Sequence, residues 1–184
     1  MHDARLDPTR QLETALVVAG DDPGREPIAR RVGTRNRFVG VAPLARFIAV
    51  KSTLTDAAII DGVNYVFQKA AALGMNAVVN LSLGSSFGPH DGSGRFSTAV
   101  SALTGPGRIV VASAGNMGTN PLTVQVGYAG ISSPGNAPSA ITVGAEKTFD
   151  TTRRTDDVIA DYSSRGPTWY DAYNKPDVVA PGTW

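Results

Sequence analysis

The 184-residue sequence contains no cysteine, and its two histidines, His2 and His90, stand far apart. The first absence removes disulfides, a thiol nucleophile and every Cys-based zinc or iron–sulfur site, and two separated imidazoles make no histidine cluster. Charge is scarce as well: Asp, Glu, Lys and Arg supply 18% of residues, against roughly 25% in an average soluble domain. Seventeen bases against sixteen acids leave a formal charge of +1, which argues against nucleic acid or a membrane surface as partner. Apolar runs such as 15–19 and 109–112 are strand-sized, well short of the ~18 residues of a membrane span. Residues 1–10 carry charges and a proline with no apolar stretch behind them, so no secretory leader is expected there. Neither G-x-x-x-x-G-K-[ST] nor G-x-G-x-x-G occurs, and a nucleotide-binding role would rest on topology alone.

What is present is a core-rich, turn-rich chain, 42% hydrophobic with 20 glycines and 12 prolines, about the size of one globular domain. Ile59, Ile60, Val63, Val66, Phe67 and Ala70 recur at helical spacing and predict a helix over 56–73, with Thr55 or Asp56 to cap it and Gly74 to end it. The apolar runs 44–52, 77–83 and 108–114 read as strands, and 96–103 as a short helix. Residues 12–19 (LETALVVA) are best read as a further helix, followed by a loop over 20–37. Past residue 117 come a loop over 118–126, an apolar run at 140–145, a charged loop at 146–157, a run at 158–164 and a Pro-rich stretch at 175–182. No repeat and no linker divides the chain. Strands alternating with helices from residue 44 imply right-handed crossovers and a parallel sheet covered on both faces.

In such sheets a ligand site lies past the carboxyl ends of the strands, which singles out Ser82-Leu83-Gly84-Ser85 and Ser113-Ala114-Gly115-Asn116. The Asn116 amide could there donate a hydrogen bond to developing negative charge. Taken alone, Asn116 with Gly118 nearby reads more readily as a turn former, as do the serines at 82, 85, 163 and 164.

Several segments form an ordered set. They are Gly40-Val41-Ala42-Pro43, Val79-Asn80-Leu81-Ser82-Leu83-Gly84, Val110-Val111-Ala112-Ser113-Ala114-Gly115-Asn116 and Ser133-Pro134-Gly135. Residues 137–145 (APSAITVGA), 162–168 (YSSRGPT) and 175–182 (KPDVVAPG) continue it. In this order and spacing the set resembles the subtilisin-like serine proteases over nearly the whole length. The resemblance implies an α/β fold of three α/β/α layers with a mainly parallel sheet, residues 1–184 being a partial catalytic domain incomplete at both ends. It implies a serine endopeptidase with Asn116 as side-chain donor of the oxyanion hole. Ser82, Leu83 and Gly84 would form one wall of the substrate pocket and Ser113, Ala114 and Gly115 another, with an apolar Met117 at the rim favouring uncharged side chains. It further implies a polypeptide substrate, a secreted setting and a monomeric complete domain. No cofactor is required. Many members hold structural calcium, but the matching loops around Asp21, Asp22 and Asn36 present no ligand pattern.

The same comparison marks what this sequence does not contain. The family works with an Asp, a His and a Ser in that chain order. The family's Asp strand would precede residue 1. Its H-G-T-H-V-A-G motif superposes on residues 10–16 (RQLETAL), which puts Glu13 at the position of the catalytic His. Its G-T-S-M-A motif would follow Gly182, and Gly182-Thr183-Trp184 does not match it. These residues are therefore expected to form an inactive fragment, with a non-catalytic peptide-binding relative as the alternative. The resemblance also implies that Val78, Ile109 and Val111 would be left uncovered.

Overall fold

The computed structural model describes residues 45–85, 89, 91–120 and 122–183, together with a strand at 13–18. The Gly40-Val41-Ala42-Pro43 motif, Asp21, Asp22, Asn36, His2 and His90 lie outside the described residues. The elements run β1 (Glu13–Val18), β2 (Arg46–Lys51), α1 (Asp56–Ala72), β3 (Ala77–Leu81), α2 (Arg95–Leu103), β4 (Arg108–Ser113), β5 (Ile141–Lys147), β6 (Val158–Ile159) and β7 (Val178–Thr183). Among the described residues no helix is long and apolar enough to cross a membrane.

The helix expected over 56–73 forms with both its signals in use. The Thr55 hydroxyl accepts from the Ala58 N–H at 3.3 Å, satisfying one of the donors a helix start leaves open. At the other end the N–H groups of Gly74 and Met75 close on the carbonyls of Ala71 and Ala70, the paired bonds of a Schellman turn. Its buried side chains Ile59, Val63, Val66, Phe67 and Ala70 meet Phe96 and Val100 of α2 over Ala77, Val79, Leu81, Val110 and Ala112 of the sheet. Full burial of each Val, Leu or Phe stabilises by about 1.5–3 kcal/mol, so this one face carries most of the apolar stabilisation.

β3, β4 and β5 pair in parallel, β7 pairs with β5 in parallel, and the short β6 joins β5 antiparallel. The fold is the expected α/β one with a mainly parallel sheet. The side chains pointing away from α1 and α2 include Val78, Ile109, Val111, Ile141 and Val178, placed on one face by the registers. Ile109, Ile141 and Val178 are 41%, 40% and 50% exposed. Val78 and Val111 are half-buried, and among the described residues no helix covers this face, where the alternation of strands and helices had implied cover on both.

Three expectations need correction. Residues 13–18 form a strand rather than part of a helix: β1 pairs antiparallel with β2, Glu13 facing Lys51 and Val18 facing Arg46. A short apolar run fits either element, and here the β-branched Thr14, Val17 and Val18 take the cross-strand partner. Secondly, β2 does not hydrogen-bond into the parallel sheet but forms a separate two-stranded sheet with β1. Thirdly, the Pro-rich stretch at 175–182 contains most of a strand, β7, which tolerates Pro181 because β5 is its sole ladder partner among the described residues.

The entry into β7 is fixed by charge. Lys175 is buried, and its ammonium donates to the Ala140 carbonyl at 2.7 Å and to Asp177 Oδ2 at 2.6 Å. That same oxygen accepts from the Thr142 N–H at 2.7 Å, while the Asp177 N–H donates to the Thr142 carbonyl at 2.9 Å. Partial burial pushes the Asp177 carboxyl up, but the Lys175 ammonium and the Thr142 N–H outweigh it and hold the group below its ordinary value of 3.8. A lowered carboxyl stabilises the folded state above pH 3.8 and loses that contribution as pH falls through the folded value. Asp177→Asn should destabilise the chain at neutral pH by roughly 2 kcal/mol, below the ~3–5 kcal/mol of breaking a fully buried pair because the Asp177 side chain is 38% exposed. Urea unfolding followed across pH 3 to 7 should show an acid-side loss in the parent that is smaller in the variant, and equal stability at pH 7 would contradict this account.

Candidate active site

Leu81 pairs with Ala112, so the parallel strands β3 and β4 end side by side. The chain leaves β3 as Ser82-Leu83-Gly84 and leaves β4 as Ala114-Gly115-Asn116, two backbone walls starting from neighbouring points. They are bonded together. The Ser113 hydroxyl donates to the Leu83 carbonyl at 3.1 Å. Ser132 lies against both walls: its N–H donates to the Ala114 carbonyl at 3.0 Å, and its hydroxyl occupies the space a Cβ would need at Gly84 or at Gly115. Beyond Gly84, Ser85 and Ser133 exchange main-chain hydrogen bonds of 2.8 and 3.2 Å. Ser133 is in turn held from beneath by α2. The Ser97 hydroxyl gives its one hydrogen to Asn136 Oδ1 at 2.6 Å, which leaves Ser133 as the donor in the 2.7 Å contact between the two serine hydroxyls.

A cleft of about 400 Å³ opens at these strand ends. Of the residues singled out in the sequence, Ser82, Ser113, Ala114, Gly115 and Asn116 line it. Val143, Gly144 and Ala145 of β5 and Ala180, Pro181 and Gly182 of β7 form its other sides. Leu83, Gly84 and Met117 do not line it. Leu83 packs partly against the core and Gly84 abuts Ser132, while Met117 is 48% exposed beside Gly130. A second cleft of about 390 Å³ lies at the far end of the first wall, between Asp56, Ser85, Arg95, Phe96 and Ser133. Nothing in the sequence pointed to it.

Asn116 is exposed, and its side chain makes no hydrogen bond among the described residues. Nearby Asn120 shows what a turn-forming Asn looks like here: its Oδ1 accepts from the N–H groups of Leu122 and Thr123 at 2.9 and 3.2 Å. The loop behind Asn116 is tied down from a distant segment. The Ser164 N–H donates to the Gly115 carbonyl at 2.9 Å, the Ser164 hydroxyl accepts from the Met117 N–H at 3.0 Å, and the Gly118 N–H donates to the Tyr162 carbonyl at 3.0 Å. Sequence reasoning left Ser132 out altogether and gave Ser164 no role of its own, since a small hydroxyl in a Gly/Pro turn carries no periodic signal. Glu13 lies on β1, and the sequence offers no histidine in the segments that build this cleft. Among the described residues no group of three or more His, Cys, Asp or Glu is placed to hold a metal ion.

The mainly parallel α/β sheet thus carries at its strand ends a cleft walled by small residues and flanked by an unengaged amide. The chain belongs to the subtilase family: a profile described as Subtilase family matches residues 14–184. Over 157 residues it is 34% identical to Serine protease AprX of Bacillus subtilis (strain 168), covering 79% of this chain and 33% of that protein. It is 35% identical over 162 residues to Subtilisin of Bacillus sp. (strain TA39), covering 82% and 35%. Among solved structures, S41 Psychrophilic Protease superposes with a TM-score of 0.61 at 30% identity, over 78% of this chain and 46% of that one. The chain thus spans about a third of the length of these curated relatives.

Gly115 has φ +101°, and a Cβ there would lie 2.7 Å from the Ser132 hydroxyl and 3.0 Å from that of Ser164. Gly115→Ala should therefore cost more than about 1 kcal/mol of stability from backbone strain and crowding together. Chemical denaturation reads this directly, and an unchanged midpoint would contradict the packing described.

Proposed function

We propose that this chain carries the substrate-binding and oxyanion-stabilising part of a serine endopeptidase site, and that these 184 residues by themselves hold an extended polypeptide without cleaving it. The observation that carries the reading is Asn116, an exposed, unengaged amide at the carboxyl end of β4, beside a cleft closed on its other side by the Ser82 wall.

On this reading a substrate lies extended along 82–84 and pairs with that backbone as an added strand. One substrate side chain enters the cleft at the strand ends, and the second cleft beside Ser85 is available to another further along. The carbonyl following the first side chain then faces Asn116. Its amide donates a hydrogen bond, and such a donor is most valuable where negative charge develops on that oxygen. Hydrolysis also needs a nucleophile and a base to take its proton. This sequence supplies neither motif, with Glu13 at the position matching the family's histidine.

Glu13 also favours a second reading, a non-catalytic relative whose groove only binds. Genomic DNA on either side separates the two: H-G-T-H in another frame and a downstream G-T-S-M-A would indicate an interrupted protease gene, and their absence the binder. The partner in both readings is a polypeptide, and we extend to the chain the family's extracellular setting.

Two measurements test the proposal. The purified chain should release no chromophore from peptide p-nitroanilides, yet an acetylated apolar tetrapeptide ending in a free carboxylate should shift NMR resonances of residues 82–85 and 113–117 saturably. Asn116→Leu should weaken that peptide about tenfold, the scale of a hydrogen bond to a charged group, while moving stability by less than about 0.5 kcal/mol as for other exposed sites. Turnover that survives removal of contaminating protease would overturn the inactive assignment. Unchanged affinity would remove Asn116 from the site.

A further inference from the structure

We propose that Ser164 is the positioning residue for Asn116, setting the direction of its amide from a segment remote in sequence. The inference deepens the oxyanion role assigned above and rests on it.

Asn116 has no side-chain hydrogen bond of its own among the described residues, so the main chain on either side must aim it. Both of its peptide neighbours are held by one residue. The carbonyl of Gly115, before it, accepts from the Ser164 N–H at 2.9 Å. The N–H of Met117, after it, donates to the Ser164 hydroxyl at 3.0 Å. A single side chain and its own amide thus span the three residues 115–117, and Ser164 is 1% exposed, so water does not compete for either bond.

The need for such a tether follows from Gly115. At φ +101° the residue occupies a region that glycine enters freely, and the same freedom lets it leave. Ser132 fixes the preceding residue through the Ala114 carbonyl, but no bond from Ser132 reaches beyond Gly115. Ser164 supplies the missing restraint, and it is itself anchored to the sheet. Its neighbour Ser163 accepts from the Ala145 N–H of β5 at 2.9 Å and donates its own N–H to the Ala160 carbonyl at 2.9 Å. A donor aimed at developing charge is effective in proportion to how little it must reorganise, and this arrangement holds the donor's backbone to β5, a strand other than the one that carries it.

The test compares two ligands on the chain as it stands: one acetylated apolar tetrapeptide as free acid and as C-terminal amide. The carboxylate presents negative oxygen to Asn116 and the amide does not. The parent should bind the acid about tenfold more tightly. Asn116→Leu should reduce that ratio to about one. Ser164→Ala should do likewise while leaving the amide's affinity within about twofold, and the double variant should add no further loss. Ser164→Thr, which restores the hydroxyl, should recover the ratio. Equal weakening of both ligands by Ser164→Ala, with the ratio kept, would make Ser164 merely structural and overturn the proposal. If Ser164→Ala does not fold, Ser164→Cys fills the site with a slightly larger side chain and only a weak acceptor: a reduced ratio supports the proposal and an unchanged one overturns it.

A ligand-free readout separates this inference from the reading beneath it. ¹⁵N order parameters of the Asn116 main chain should fall from about 0.85 in the parent to below about 0.6 in Ser164→Ala. If the parent binds neither peptide, the peptide-site reading fails, and unchanged order in the variant then overturns the positioning role separately.

Discussion

Two positions without a side chain, Gly84 and Gly115, let the Ser132 hydroxyl sit between the ends of β3 and β4, and the geometry of the site depends on that contact. A methyl group at either position would push Ser132 out. The Ser132 N–H would then lose the Ala114 carbonyl, and the following Ser133 would lose its exchange with Ser85. The two walls are thus set by a third segment that touches both, in addition to their shared start in the parallel ladder. Interiors at native packing density transmit such displacements instead of absorbing them, so a small change at 84 would be felt at 115.

The packing energy and the site lie on different parts of the same sheet. One face is closed by α1 and α2, whose buried Val63, Val66 and Val100 meet Val79 and Val110. The other presents Ile109, Ile141 and Val178 to solvent. The cleft lies at the strand ends and on this second face, where Asn80, Val111 and Val143 line it. An exposed apolar patch of this kind on a sheet is a surface suited to association.

Much of this was legible in residue order. The 3.6-residue recurrence of Ile59, Val63, Val66 and Ala70, with Thr55 before and Gly74 after, carries its own start and stop. Apolar runs such as AVVNL and RIVVAS leave little choice but buried strand, and the rule that sites gather at carboxyl ends of parallel strands then isolates Ser82–Ser85 and Ser113–Asn116 before any motif is considered. What was not legible depended on partners far along the chain. The run ETALVV satisfies helix or strand equally, and pairing with β2 decides it. β7 was hidden by Pro181 and Gly182, punctuation that an edge strand tolerates and a central one does not. Ser132 and Ser164 escaped for a different reason: their function is a hydrogen bond to a loop 18 or 47 residues away, and nothing in their local sequence distinguishes them from serines that merely form turns.

Lys175 and Asp177 deserve a last consideration as a pair straddling one residue of the neighbouring strand. Lys175 reaches the carbonyl of Ala140 and Asp177 the N–H of Thr142, so Ile141 lies between the two grips. A strand that slid along β5 by two residues would keep its faces correct and satisfy the hydrophobic pattern, the error that patterning alone fails to reject. It would also bury an ammonium away from its acceptors, at a cost of several kcal/mol. The ion pair therefore acts as an error check on alignment. Because Ala180, Pro181 and Gly182 follow on the same strand and form one side of the cleft, a mistake rejected at the base of the sheet is a misplaced cleft wall avoided at its top.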